Sequence, residues 1–354
     1  MHEHSWKSIL SALINGENLS REACRWAMAE IMAGQATDSQ IAGFMLGLRT
    51  KGETSQELAG LVDVMLENAT KLEISDDAVD IVGTGGDLVG TVNISSMASV
   101  VARAAGIPVL KHGSRSASGK TGSSEMLERL GINLELSPSQ VVEVFEQQGI
   151  TFFFAPVFHP AMRHVARARK ELGVPTTFNF LGPLANPVQP IATALGVANS
   201  KIAPLMAAEL AQRGRTALVF RSNDGLDELS TTALNTIWQV VDGVVEEYAF
   251  DAEAIGVPRS SQEQLLGGDA EHNSRVATSL FQGLDFKKSS AISDIVCLNA
   301  AAGIVAYELA NDHQQRFVPL EDRLKAGFLA AKSAISGGMA ETTAREWAKA
   351  TQAF

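Results

Sequence analysis

Asp80-Ile-Val-Gly-Thr-Gly-Gly-Asp-Leu-Val-Gly-Thr-Val-Asn-Ile-Ser-Ser96 is the stretch on which the reading of the whole chain turns. Its apolar start, with Val79 before it, predicts a buried strand, and Gly83, Gly85 and Gly86 let the backbone turn while leaving no side chain between its amides and an anion. Asp87, Thr91, Asn93, Ser95 and Ser96 add polar groups and lead into Met97-Ala-Ser-Val-Val-Ala-Arg-Ala-Ala105, which has helical composition. A helix N-terminus would then face the same anion. Strand, glycine turn and helix start make a phosphate cradle; the plainer alternative is a βα turn that happens to be rich in glycine. A dinucleotide fingerprint is excluded, because the glycine it needs three positions after its second falls on Leu88.

The totals bound what surrounds this loop. A chain of 354 residues exceeds one core of the usual size, which predicts two domains, one of them small. The formal net charge of −11 opposes a general affinity for nucleic acid or for an anionic membrane, so anionic ligands must be held by local groups. Cys24 and Cys297 lie far apart without metal-ligand spacing, as expected of buried free thiols in a reducing compartment. No hydrophobic run approaches a membrane span, and Met1-His-Glu-His-Ser-Trp6 is no signal peptide, so the expected location is the cytoplasm.

Residues 5 to 70 are helical in pattern, with capping boxes at Thr37-Asp-Ser-Gln40 and Thr54-Ser-Gln-Glu57 and a plainer N-cap at Ser20. They predict a small domain of about four helices over residues 1–72, with Gly34 and Gly52 at breaks. After Leu72 the texture alternates. Strands are predicted at 79–83, 107–110, 151–155, 191–197, 216–221 and 238–241, with helical runs such as 94–105, 122–130, 138–148 and 201–213 between most of them. The fold class is therefore α/β: a small helical N-terminal domain, then a domain over 73–354 with a mostly parallel central sheet flanked by helices. Ligands on such sheets sit at the carboxyl ends of the strands, where Gly83 to Asp87, Lys111 to Gly113 and Arg221 to Glu228 should converge. Leu298-Asn-Ala-Ala-Ala-Gly303 reads as a packed helix start, and residues beyond about 250 carry no evident chemistry.

Three further motifs do carry chemistry. Lys111-His-Gly-Ser-Arg-Ser-Ala-Ser-Gly-Lys-Thr-Gly-Ser-Ser124 is no nucleotide-triphosphate loop, since the glycine required five residues before Gly119 falls on Ser114. Its three cations and many hydroxyls suit a loop that wraps a ligand with two phosphate groups, or else a solvated surface loop. Phe154-Ala-Pro-Val-Phe-His-Pro-Ala-Met-Arg163, Arg167-Ala-Arg-Lys-Glu-Leu-Gly173 and Phe178-Asn-Phe-Leu-Gly-Pro-Leu-Ala-Asn-Pro187 combine rigid turns with an apolar setting, in which an arginine fork can meet a planar carboxylate. Taken singly, His159 reads as a structural histidine and Arg169 as a residue of a solvated helix face. Ser222-Asn-Asp-Gly-Leu-Asp-Glu-Leu-Ser-Thr231 sets Asp227 beside Glu228, which suits magnesium shared with substrate phosphates, or a free acidic turn.

These motifs, in this order, resemble the anthranilate phosphoribosyltransferase family, whose wider group includes pyrimidine nucleoside phosphorylases. GTGGD followed by TVNISS is similar to that family's diphosphate-binding loop, and Lys111, His112, Gly113 and Arg115 match its second segment, in which Ser114 replaces the usual Asn. Arg167 stands where many members have proline. The resemblance implies transfer of phosphoribose from 5-phosphoribosyl-1-diphosphate to anthranilate. By its terms Gly83, Gly85, Gly86, Asp87, Thr91, Asn93, Ser95, Ser96, Lys111, Ser118 and Ser123 serve the donor. It assigns His112, Ser114, His159, Arg169 and Gly182 to anthranilate, and Ser95, Asp227 and Glu228 to magnesium, with no residue as acid or base. It also implies a homodimer formed through the helical domain, to which a segment near 165–190 returns. A nucleoside phosphorylase would share the loop but need base-recognising residues in place of the Phe-His-Pro and Gly-Pro-Leu segments. A non-catalytic nucleic-acid-binding relative would show a basic stripe and no acidic pair, and the sequence has neither property.

Overall fold

The computed structural model describes residues 4–115, 122–284 and 291–354. Helices α1 (Trp6–Ile14), α2 (Arg21–Met32), α3 (Asp38–Lys51) and α4 (Ser55–Glu67) come first. Their starts are fixed by side chains, as the sequence predicts: Ala23 N–H donates to Ser20 Oγ, and Thr37 with Gln40 and Thr54 with Glu57 close reciprocal capping boxes. Each such cap is worth about 1 kcal/mol. Gly52, at φ 90, ends α3 in a conformation that a side chain would resist.

The second part begins β1 (Val79–Gly83), α5 (Ile94–Ala104), β2 (Val109–Gly113), α6 (Ser123–Arg129), α7 (Pro138–Gln148) and β3 (Ile150–Phe154). The short α8 (Ala155–Phe158), α9 (Arg163–Leu172) and the short α10 (Phe178–Leu181) follow, then β4 (Ala192–Gly196), α11 (Ala203–Gln212) and β5 (Thr216–Ser222). The chain closes with β6 (Asn235–Val241), β7 (Val244–Phe250), α12 (Ala270–Phe281), α13 (Ala291–Asn311), α14 (Leu320–Ser336) and α15 (Met339–Thr351). Among the described residues the strands form one seven-stranded sheet in the order β3-β2-β1-β4-β5-β6-β7. The pairings from β3 across to β5 are parallel, and β6 and β7 are antiparallel. The sheet is mostly parallel, as expected.

Side-chain alternation along the strands gives the sheet two apolar faces. Ile81, Ala194, Leu218 and Ile237 belong to a core under α5, α13 and α14, whereas Val82, Leu195, Val219 and Val240 belong to a second core shared with α11 and the N-terminal helices. That second core also contains Val165 and Ala168 of α9 and Phe178, Phe180 and Leu181 of α10. Polar ties follow the same path: Thr177 Oγ1 donates to Glu53 at 2.7 Å, and Arg213, the residue after α11, donates to Asp63 of α4 at 2.8 Å.

Three expectations need correction. The expected strand at 107–110 lies at 109–113, so Lys111 and His112 point from within β2 rather than from a loop after it. β7 was not foreseen, because the adjacent Glu246 and Glu247 interrupt its apolar residues and no regular alternation marks it. Leu298 to Gly303 lies in the middle of α13, not at a helix start, and α13 does match a membrane span: its 18-residue window has a mean hydropathy of 1.5. Sheet and helices bury 83% of that window, as befits a central core helix, and Gly303 permits its backbone to approach Ile81.

Candidate active site

The chain runs outward from β1 to β2 and β3, then returns to place β4 on the other side of β1. The strand order therefore reverses between β1 and β4, and a crevice opens at such a point, at the carboxyl ends of the strands. Gly83 and Gly196 are the paired last residues of those two strands. Asp227 sits directly over the pair. A Cβ on Gly83 would overlap its Oδ2, and a Cβ on Gly196 would overlap its carbonyl oxygen. The carboxylate accepts the Gly85 N–H at 2.7 Å, so the glycine turn is tied to the segment that follows β5 in sequence.

Asp87 and Glu228 complete an acidic group around Asp227. Burial, added to by the charge of Asp87, pushes Asp227 up to about 7. Burial raises Glu228 well above its usual range, helped by Asp227 and Asp87 and opposed by Lys111 and the Ser95 N–H. Asp87 is raised as well, by burial first. Lys111, itself fully buried, donates to Ile81 O at 2.6 Å and lies 3.5 Å from Ser95 Oγ, between β1 and the start of α5. Burial lowers its pKa, and Asp80 and Glu228 oppose that shift.

Such a set fits a hard divalent cation. The carboxylates and the Ser95 hydroxyl are oxygen donors, and their mutual repulsion in a buried setting would be relieved by positive charge. Among the described residues no three His, Cys, Asp or Glu side chains close a metal cage by themselves. A cation here would share its remaining positions with water and phosphate, as magnesium commonly does.

The other predicted residues fall into distinct groups. Gly85 and Gly86 adopt positive φ, at 66 and 85, and leave their amides uncovered by any Cβ. Asn93 begins α5 but does not cap it; its side chain donates to Gly122 O at 3.0 Å and accepts from Asn273 at 2.8 Å. Ser96 is fully buried and its hydroxyl has no partner among the described residues. Thr91 bridges Leu266. Ser123 opens α6 and donates to Ser114 O at 3.3 Å. Arg115 is turned from the crevice, paired with Glu128 at 2.9 Å and stacked over Phe154. Ser118 lies outside the described residues.

His112 and His159 meet ring to ring at 5.2 Å. His112 Nδ1 lies 3.0 Å from Gly182 O, which fixes the proton on that nitrogen and leaves Nε2 as a buried acceptor without a partner among the described residues. Burial, with His159 next, holds the ring neutral by lowering its pKa to about 3. His159 Nε2 donates to Ala185 O at 2.7 Å. The pKa of Arg169, on α9, is lowered by burial, and among the described residues no acid pairs with it. A half-buried guanidinium without a counter-charge is costly unless an anion arrives.

Sequence reasoning missed Asp80 and Asn186. Asp80 is fully buried; it accepts the His112 N–H at 3.2 Å and Asn186 Nδ2 at 2.9 Å, and so braces β2 from behind. The signal was present, since an acid inside the apolar run Val79 to Val82 needs partners.

Comparison with known proteins agrees with this geometry. The model of the glycosyl transferase family a/b domain matches residues 75–340, and that of the same family's helical bundle domain matches residues 7–69. An anthranilate phosphoribosyltransferase of Streptomyces griseus is 50% identical over 99% of this chain and 96% of its own length. The chain belongs to the anthranilate phosphoribosyltransferase family. Another relative of that name, from Leifsonia xyli, is 48% identical over 98% of this chain and 99% of its own. The crystal structure of the anthranilate phosphoribosyltransferase of Thermus thermophilus superimposes with a TM-score of 0.87 at 37% identity, covering 97% of this chain and 99% of that one. The Saccharomyces cerevisiae anthranilate phosphoribosyltransferase, solved in complex with PRPP and Mg, shares the fold with a TM-score of 0.87 at 24% identity, covering 99% of this chain and 98% of that one.

Proposed function

We propose that this protein is an enzyme of tryptophan biosynthesis that transfers phosphoribose from 5-phosphoribosyl-1-diphosphate to anthranilate. The C1–O bond to diphosphate breaks as the anthranilate nitrogen bonds to C1, and that nitrogen then gives up a proton. The observation that carries this reading is the seat of Asp227 over the Gly83 and Gly196 pair, tied to Gly85 at 2.7 Å with Glu228 and Lys111 beside it. It joins a phosphate-binding turn to a pair of metal-binding acids at a strand crossover point.

In this reading Gly83, Gly85, Gly86, Asp87, Thr91, Asn93, Ser95, Ser96, Lys111 and Ser123 hold the donor, the turn by the amides beyond Gly85, whose own N–H is given to Asp227, and Ser95 and Ser96 by their hydroxyls. Ser118 is assigned to the donor by resemblance alone. Ser95, Asp227 and Glu228 would hold magnesium, which would offset the charge gathering on the departing diphosphate. Lys111 adds a positive charge between β1 and the start of α5. Arg169 pairs with the anthranilate carboxylate, while His112, Ser114, His159 and Gly182 shape its pocket. His112 Nε2 is free to accept a hydrogen bond from the amino group, which is already a neutral nucleophile at pH 7. The residues therefore act by positioning and by stabilising charge, with no strong base required.

We divide the chain near residue 72 and count the segment near 165–190 with the small domain, because both share one apolar core. Two copies pair through that domain in this reading, where Ile14 and Leu46 are exposed at 84% and 37%. The enzyme works in the cytoplasm, where Cys24 and Cys297 stay reduced. The test is to follow anthranilate fluorescence with purified protein, donor and magnesium. Magnesium-dependent loss of signal is expected. No turnover, with phosphorolysis of a pyrimidine nucleoside instead, would overturn the reading.

A further inference from the structure

The chain beyond residue 250 holds a strap across the glycine loop. A one-turn helix at Gln262–Leu265 leads into Leu266, Gly267 and Gly268, which run alongside Gly90 to Val92. Val92 N–H donates to Leu265 O at 3.0 Å, and Gly267 N–H donates to Gly90 O at 2.9 Å. The contact is close. A Cβ on Gly267 would stand 2.8 Å from both Thr91 O and Asn273 Oδ1.

Asn273, on the first turns of α12, is 1% exposed and lies between this strap and Asn93. Gly268 N–H donates to Asn273 Oδ1 at 2.8 Å, Asn273 Nδ2 donates to Asn93 Oδ1 at 2.8 Å, and Asn93 Nδ2 donates to Gly122 O at 3.0 Å. The ends of this relay are a backbone N–H and a backbone carbonyl, which cannot exchange roles. Only one orientation of each carboxamide satisfies the whole chain. The relay thus fixes Asn93 and ties together the strap, the start of α5 and the residue before α6.

The diversion of Asn93 is informative. An Asn at the start of a helix ordinarily caps it with its own side chain, and this one does not. The first amides of α5 are left to other partners: the Ile94 N–H donates to Val92 O at 2.8 Å, and the Ser95 N–H donates to Glu228. Without Asn273, Asn93 could turn back and cap α5.

We propose that Asn273 is a positioning residue for the phosphoribosyl donor, acting through Asn93 to set the loop 83–96 against the start of α6. The inference rests on the reading of that loop as the donor cradle. Asn273 touches the loop from behind and acts on one substrate only.

Steady-state constants for both substrates and the melting temperature of wild type, Asn273→Ala, Asn273→Asp, Asn93→Ala and the Asn93→Ala/Asn273→Ala pair test it. Asn273→Asp keeps the acceptor for Gly268 but turns a carboxylate oxygen toward Asn93 Oδ1 and adds a negative charge, so if the alanine variant does not fold it is read together with Asn93→Ala, which breaks the same contact without a charge. Both Asn273 variants are expected to raise the donor KM about tenfold while the anthranilate KM stays within about twofold. In the Asn93→Ala background, adding Asn273→Ala should change the donor KM by less than about twofold. Equal changes in both KM values, additive effects in the pair, or an unchanged donor KM would overturn the proposal. Wild-type protein without turnover would instead remove the reading on which it rests.

Discussion

The carboxylate of Asp227 accepts the backbone N–H of Gly85 at 2.7 Å across 142 residues of sequence. Because Gly83 and Gly196 lack a Cβ, the segment carrying Asp227 can lie directly on the ends of β1 and β4. The two glycines face different atoms, and that difference separates two variants.

Gly196→Ala would press on the Asp227 carbonyl, part of a backbone that has no room to yield. It should destabilise the protein by about 1–3 kcal/mol and lower activity with it. Gly83→Ala presses on the carboxylate end, which can rotate away from Gly85. Thermal unfolding should place it closer to wild type, while the donor KM rises. A reversed order of melting temperatures would contradict this seating.

Asp80 supplies a pH signature of stability. Burial raises its folded-state pKa to about 6 against an ordinary 3.8, with Lys111, Asn186 and the His112 N–H opposing the shift. A raised pKa favours the protonated form in the folded state. The stabilisation it confers is complete below about 3.8 and is lost as pH rises through about 6. Asp80→Asn has a fixed cost from its altered hydrogen bonds, but wild type should lose about 2–3 kcal/mol relative to it between pH 4 and pH 7. Denaturant unfolding across that range measures the change, and parallel curves would show that Asp80 stays ionised throughout.

The acidic pair makes a separate prediction. Asp227→Asn with Glu228→Gln keeps the shape but removes two charges that would bind magnesium. The magnesium needed for half-maximal rate should rise by about tenfold or more, since each lost charged ligand costs on the order of 1 kcal/mol or more. An unchanged magnesium titration would leave these residues as an ordinary buried turn.

The fold was legible where local chemistry decides it. The capping boxes at Thr37 and Thr54 are short-range and act as read, and the strand-helix alternation from Val79 gives the parallel sheet. β7 was not legible, because the adjacent Glu246 and Glu247 interrupt its apolar residues and leave no regular alternation to mark an edge strand. The site's residue types were also readable, but their geometry was not. Nothing local says that Lys111 reaches Ile81 while Arg115 turns to Glu128, for both sit in one polar string and are sorted by burial alone. Asn273 was invisible for the same reason: its role depends on Asn93, 180 positions away.

The central claim is a division of labour, with the glycine loop holding what leaves and the region of Arg169 holding what attacks. The most direct measurement is the pair of KM values in Arg169→Ala. Arg169 has no acidic partner among the described residues, so its loss should leave the donor side untouched. The anthranilate KM is expected to rise about a hundredfold, the scale of a lost charge-paired contact, with the donor KM within about twofold of wild type. Equal rises in both constants, or no rise in the anthranilate KM, would contradict the account.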